Sequence, residues 1–258
     1  MPTLSGPTQF QGEVALVTGA GAGLGRAVAL AFAAQGARVV VADRSQDAAA
    51  ETARLVEAAG GAALAVTADV TRSADVQAMV AQAVRHFGAL DFAVNNAGIE
   101  GDVFVPIDRY AEDSWDAVVA VNLKGVFLCL KYELPHIVAA RGAIVNMASV
   151  AGLSGSRMGA AYHASKHGVV GLTRAAAIEY ADRGVRVNAV APGVIHTQMA
   201  ERAFLQVAAT ADRVNAMHPL GRMGTAAEVA EAVVWLCSSG ASFVTGHTLP
   251  VDGGFLVP

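Results

Sequence analysis

The sequence predicts an α/β protein: a doubly wound parallel sheet with helices on both faces. Three observations carry this. Short apolar, β-branched runs recur along the whole chain, and such runs read as strands buried on both faces. Between them lie helix-patterned stretches long enough to cross back over a sheet, which makes successive strands parallel. The first strand also runs directly into a glycine-rich turn and then a helix pattern. The chain has 258 residues, of which 54% are apolar and 16% charged, a composition that buries a large core and excludes disorder.

In order, residues 1–12 read as a loose leader. Glu13–Gly19 is the first strand, and the helix pattern after the glycine turn stops at Gly36. Arg38–Asp43 is the next strand, 46–59 a helix, Ala62–Val70 a strand and 73–87 a helix. Leu90–Gly98 is a fourth strand with a turn. A long helix starts near Asp113 and runs to Leu134, where Pro135 should stop or bend it. Ala143–Ser149 is strand five, 160–182 a helix and Val185–Gly193 strand six. Residues 194–225 have no clean period and read as a substrate lid; the competing reading is a loop packed on a neighbouring subunit. Ala226–Cys237 is helical and His247–Gly254 offers a last short strand. With no linker and no internal repeat, residues 1–258 form a single domain on this reading.

A formal charge of −4 with no basic run argues against nucleic acid. The N-terminus lacks the charged and apolar regions of a signal peptide. Asn122 and Lys124 break the longest apolar candidate well short of the roughly 18 residues a membrane span needs. Cys129 and Cys237 fall in apolar helical stretches and read as buried free thiols, so no metal site is expected. The expectation is a cytoplasmic protein with no membrane partner.

The chemistry centres on Ser149, Tyr162 and Lys166. Tyr162 and Lys166 are four apart, about one helical turn, so both fall on one helix face. A phenol titrates near ~10, and a neighbouring ammonium favours its ionised form. Such a tyrosine can exchange a proton with an alcohol oxygen. Ser149 closes the preceding strand, where its hydroxyl can hydrogen-bond the same oxygen.

The glycine turn reads G-x-x-x-G-x-G from Gly19 through Gly23 to Gly25, with Gly21 as an extra. A tight strand-to-helix turn aims backbone N–H groups and the helix dipole at an anion, and glycine leaves room for phosphates. Asp43 ends the second strand, 18 residues beyond Gly25. A carboxylate there takes the adenosine ribose hydroxyls and repels a 2′-phosphate, favouring NAD over NADP. Arg44 beside it suits that phosphate instead, and a helix cap is the competing role for Asp43.

These pieces together resemble the short-chain dehydrogenase/reductase family. The matching segments are residues 18–25, Asp43, 69–70, 95–98, 121–122, Ser149, 162–166, 192–197 and 251–254, covering nearly the whole chain. The resemblance implies a Rossmann-like fold in which Gly19, Gly23, Leu24 and Gly25 line the pyrophosphate. It implies Asp69 at the adenine amino group, Val70 beside the ring, and Asn96, Ala97 and Gly98 near the adenosine ribose while linking strands. Tyr162 would be the catalytic acid/base, and Lys166 would hold the nicotinamide ribose. Asn122 would distort its helix and hold a water in a relay to Lys166; an ordinary buried kink is the alternative. Pro192, Gly193, Ile195 and Thr197 would seat the nicotinamide carboxamide. Asn95 reads as structural, and His163 and His167 as surface or structural histidines rather than catalysts. A homotetramer is also implied.

The implied reaction is hydride exchange between nicotinamide and a secondary alcohol or ketone. The substrate pocket would draw on Ile99 and Glu100, on Val150, Leu153, Arg157 and Met158, and on Met199, Glu201, Phe204 and Leu205. This mostly apolar lining suggests a hydrophobic or alicyclic substrate, and Arg157 and Glu100 have facing water as their alternative. An NADP-linked 3-oxoacyl-carrier-protein reductase is the rival, opposed by Asp43 and the acidic balance. A catalytically silent NAD(H) sensor is the other, opposed by the presence of Ser149, Tyr162 and Lys166.

Overall fold

The computed structural model describes residues 9–157, 159–202 and 208–257, and for 208–211 the backbone. One seven-stranded, all-parallel sheet has the order β3-β2-β1-β4-β5-β6-β7. Its strands are β1 Val14–Thr18, β2 Arg38–Asp43, β3 Ala62–Thr67, β4 Phe92–Asn95, β5 Ala143–Met147, β6 Arg186–Pro192 and β7 Thr248–Val251. The helices that cover it are α1 Gly23–Ala34, α2 Gln46–Ala58, α3 Ser73–Phe87, α4 Glu112–Val119, α5 Gly125–Ala140, α6 Ala160–Tyr180, the short α7 Gln198–Ala200, α8 Ala208–Ala216 and α9 Ala226–Cys237.

Strand periodicity sorts the core into two clusters. Along β1, Val14 and Leu16 join the cluster under α3, α5 and α6, while Ala15 and Val17 join the one under α1 and α9. All four are fully buried, as are Phe32, Met79, Ile137, Ile144 and Leu236. Each of these side chains except Ala15 contributes roughly 1.5–3 kcal/mol by leaving water. The strand order reverses direction between β1 and β4, so a crevice opens at their carboxyl ends.

Three expectations need correction. Residues 9–12 are not a loose leader: Phe10 is 2% exposed, its ring lies 4.8 Å from Phe92 and 5.4 Å from Phe32, and its N–H donates to Gln35. Residues 1–8 lie outside the described residues. Strand β3 ends at Thr67 and does not reach Val70, because Asp69 turns the chain by accepting from the Thr71 N–H at 2.9 Å and hydroxyl at 2.7 Å. Pro135 does not stop the helix. It sits on the exposed face of α5, which continues to Ala140, so the carbonyl its ring displaces belongs to exposed Lys131 and can turn to water. Upstream, a π-helical turn over Ala120–Lys124 joins α4 to α5 and contains Asn122, the residue at which the resemblance implied a distorted helix.

A buried polar chain lies under the crevice. Asn95 on β4 pairs in register with Asn146 on β5, and its amide donates to Asn146 at 3.0 Å and to Glu133 at 3.1 Å. The Asn146 amide donates onward to Thr173 at 3.0 Å. Asn95 is thus structural, as its sequence context suggests. Burial pushes the Glu133 carboxyl up to about 8, opposed by the Asn95 bond, so it sits protonated at neutral pH.

Candidate active site

A cleft of about 1040 Å³ runs along the carboxyl edge of the sheet. One end is built from backbone. Gly19 and Gly23 hold positive φ, at 61° and 53°, which lets the chain turn from β1 into α1. Helix α1 begins there with no side-chain cap and no acidic residue in its first turn. By contrast α2 and α9 are capped by Ser45 and Thr225. The free N–H groups of α1 therefore open into the cleft, where they suit a pyrophosphate.

Asp43 stands beside this turn. Its Oδ2 accepts from the Gly21 N–H and its Oδ1 from the Ser45 N–H, each at 2.9 Å. It therefore caps the local backbone, and its remaining lone pairs still face the cleft. Asn96 ties β4 to the turn, donating to the carbonyls of Thr18 at 2.9 Å and Gly19 at 3.2 Å. The Thr18 hydroxyl accepts in return from the Asn96 N–H. Asp69, Val70, Ala97 and Gly98 continue the wall. The backbone N–H of Thr71, its chief partner, holds the Asp69 carboxyl below its usual value despite opposing desolvation. Leu24, Pro192, Gly193, Ile195 and Thr197 line the cleft as well.

Two expected members do not face it. Gly25 is a packing glycine, since a Cβ there would lie 2.2 Å from the Gly19 carbonyl oxygen. Asn122 is fully buried behind Gly98. Its Oδ1 accepts from the Ile99 N–H at 2.8 Å, and its Nδ2 donates to the Ile99 carbonyl at 2.9 Å and the Ser165 hydroxyl at 3.3 Å. The side chain is thereby spent on holding the loop after β4.

Ser149, Tyr162 and Lys166 meet on the opposite wall. Ser149 follows β5, and its hydroxyl accepts from the Ala151 N–H at 3.1 Å. Tyr162 and Lys166 lie on the first turns of α6, with the ammonium 5.6 Å from the phenol ring centroid. The lysine donates to the Met147 carbonyl at 2.7 Å. Burial raises the Tyr162 phenol, its interaction with Ser149 pulls it partly back, and the Glu100 charge raises it again. The expected lowering by Lys166 is thus absent from this arrangement, because burial wins and the ammonium is turned to Met147. Burial also lowers Lys166 to about 8, which leaves it mostly charged at neutral pH. His163 bonds the Gly159 carbonyl and Ser156, and His167 the His163 carbonyl, so both are structural.

The substrate end departs further from expectation. Ile99, Val150, Arg157 and Met199 line the cleft, but Glu100, Leu153 and Glu201 do not. Glu100 instead forms a two-pronged ion pair with Arg202, at 2.8 and 3.3 Å. Met158, Phe204 and Leu205 lie outside the described residues. Sequence reading missed Phe104, Gln198, Arg202, Met217 and Phe255, all in the lining. It also missed His218, buried beneath it. Gln198, Arg202, Met217 and His218 fall in the 194–225 segment read as a lid, but nothing singles them out within it, and Phe104 and Phe255 sit in no periodic run.

A cleft with uncapped helix N–H groups at one end and a Ser–Tyr–Lys group on its wall is what a nicotinamide-dependent oxidoreductase requires. Comparison with known proteins agrees. A family model described as "Enoyl-(Acyl carrier protein) reductase" matches residues 19–256. The cyclohexanol dehydrogenase of Acinetobacter sp. (strain SE19) is 46% identical over 248 residues, 96% of each chain. The cis-4-hydroxycyclohexanecarboxylate dehydrogenase of Sinomonas cyclohexanicum is 43% identical, covering 95% of this chain and 97% of that one. The crystal structure of levodione reductase superposes with a TM-score of 0.92 at 40% identity, over 95% of this chain and 98% of that one. The chain belongs to the short-chain dehydrogenase/reductase family and is an oxidoreductase.

Proposed function

We propose that the chain is an NAD(H)-dependent dehydrogenase of alicyclic secondary alcohols and their ketones. The observation that carries this is the shared cleft: Ser149, Tyr162 and Lys166 line the same cavity as Asp43 and the open end of α1. The cofactor supplies the hydride acceptor and, oxidised, a positive ring. Tyr162 takes the alcohol proton on oxidation and returns it on ketone reduction. Ser149 holds the reacting oxygen by a hydrogen bond. Lys166 provides positive charge beside the phenol and a donor for the nicotinamide ribose. Gly19, Gly23 and Leu24 carry the pyrophosphate, and Asp69 and Val70 the adenine. Ala97 and Gly98 lie along the ribose, while Pro192, Gly193, Ile195 and Thr197 seat the carboxamide. Because burial raises the phenol, oxidation gains with rising pH and reduction with falling pH.

Asp43 supports NAD: its carboxylate, fixed by two backbone N–H groups, would face a 2′-phosphate. The same charge weighs against an NADP-linked carrier-protein reductase. The alicyclic class rests on the relatives' substrates and on the aliphatic lining of Ile99, Val150, Met199 and Met217. One observation favours a carboxylated member of that class. Arg157 and Arg213 line the cleft, and among the described residues neither joins an ion pair. A panel of cyclohexanol, 4-hydroxycyclohexanecarboxylate and open-chain secondary alcohols, each with NAD and NADP, tests the reading. Ring alcohols with NAD should give the highest kcat/KM, and a preference for open-chain substrates or for NADP would overturn it.

We further place the protein in the cytoplasm as a homo-oligomer, a tetramer by family resemblance. No helix among the described residues is long and apolar enough to cross a membrane. Phe127 on α5 is 49% exposed and Ile178 on α6 is 81% exposed, apolar surface that a second copy would cover. Light scattering on purified protein checks this; a monomer at micromolar concentration would refute it.

A further inference from the structure

His218 is 2% exposed and belongs to no motif considered above. It lies at the junction of three segments. The chain leaves the sheet after β6 at Val194–His196 and returns at Gly224, where the two strands of this neck are bonded together. The Gly224 N–H donates to the Val194 carbonyl, and the His196 N–H to the Gly224 carbonyl. Within the excursion, α8 is tied to the neck by the His218 ring. The Val194 N–H donates to Nε2 at 3.2 Å. That donor fixes the tautomer, so the proton sits on Nδ1 and is given to the Val214 carbonyl at 2.8 Å. The third segment is the turn after β7, whose Phe255 ring lies 5.5 Å from the imidazole. Room for the ring exists because residue 193 is glycine: a Cβ there would stand 3.0 Å from Nε2.

Val194 lies between Gly193 and Ile195, and Val214, Met217 and Phe255 line the substrate end of the cleft. We propose that His218 is a positioning residue: it holds the backbone that seats the nicotinamide in register with the substrate wall formed by α8 and Phe255. It touches neither substrate nor cofactor and acts through Val194. The two hydrogen bonds have separate duties. The bond from Val194 sets the seat, and the bond to Val214 sets the helix. The inference rests on the proposed function, in which residues 192–197 seat the nicotinamide, and wild-type turnover of ring alcohols with NAD tests that function separately.

Three variants divide the ring's functions. H218F keeps the aromatic volume against Phe255 and removes both bonds. H218Q puts an acceptor near the position of Nε2, and H218N puts a donor near that of Nδ1. Steady-state kcat and KM for cyclohexanol oxidation, NADH affinity by fluorescence and thermal midpoint are measured for each. H218F should weaken NADH binding roughly tenfold or more, as expected from leaving the partly buried Val194 N–H without its acceptor, and should raise the alcohol KM. H218Q should recover NADH affinity to within a few-fold of wild type while H218N does not, even where the two melt alike. Should H218F fail to fold, the contrast between H218Q and H218N still decides. Equal NADH affinity in those two, or an H218F that loses thermal stability with kinetics unchanged, would overturn the proposal.

Discussion

The two ends of the cleft are built differently. At the cofactor end, side chains are fixed by the ends of adjacent strands: Asp43 by Gly21 and Ser45, and Asn96 by Thr18 and Gly19. Parallel pairing sets those positions, so little freedom remains once the sheet forms. At the substrate end, Ile99, Phe104, Arg157, Met217 and Phe255 come from four separate connections. They are tied together by contacts between connections, such as the Phe104 N–H to the Arg157 carbonyl and the ion pair of Glu100 with Arg202. A backbone-built end binds the constant part of a reaction, and a side-chain-built end can change its substrate without disturbing the sheet.

The largest effect that bears on this contrast comes from Tyr162, which belongs to neither end alone. Y162F should lower kcat for alcohol oxidation by ~10²–10⁴, the worth of a positioned acid/base, with NADH affinity little changed. Retained turnover would separate the chemistry from this cleft. Next is Asp43. D43S removes a carboxylate that accepts hydrogen bonds at the fixed end, so the NAD over NADP ratio of kcat/KM should fall by one to two orders of magnitude. The alcohol KM should hold steady. If substrate preference moved with cofactor preference, the two ends would not be separable.

The same contrast explains what the sequence made legible. The glycine turn, Asp43 and the Tyr162–Lys166 spacing are local patterns, and a strand end or a helix turn converts them directly into geometry. Gly25 and Asn122 have the right motif positions but face inward, one for lack of space beside the Gly19 carbonyl and one because Ile99 consumes its amide. Arg202 reaches Glu100 and the His218 ring reaches Val194 across long stretches of sequence, and no local pattern announces such contacts. Pro135 misled because its helix-breaking cost depends on which face it occupies, which the tertiary fold decides.

The fixed end should also register in stability. Glu133 is buried on the chain that leads through Asn95 to β5, with its carboxyl raised to about 8 from 4.5. A raised carboxyl stabilises the fold fully below the unfolded pKa, and that contribution is lost as pH rises through the folded value. E133Q stays neutral and keeps an oxygen for the Asn95 amide. Its stability relative to wild type should therefore climb between pH 5 and pH 8, by on the order of a few kcal/mol, and then level off. Chemical denaturation at several pH values measures this. Kinetic constants at the cofactor end should stay put; a flat difference across pH would mean that Glu133 is ionised in the fold.

The smallest effect probes the loosely tied end. The Glu100 charge raises the Tyr162 phenol, after burial and against Ser149, and Arg202, from the segment after β6, neutralises Glu100. Arg202 is 58% exposed, so solvent screens much of the pair. E100Q removes the repulsion, so the rising limb of kcat/KM for oxidation should move to lower pH. R202Q leaves Glu100 without its partner, so the limb should move to higher pH. Each displacement should be about 0.2–0.7 of a pH unit, the size of a partly exposed ion-pair energy. The double variant should follow E100Q, because Arg202 acts on the phenol only through the carboxylate it covers. Shifts of the same sign in both single variants would show instead that the pair matters by holding the two connections together, with mechanical tethering rather than charge linking the substrate end to Tyr162.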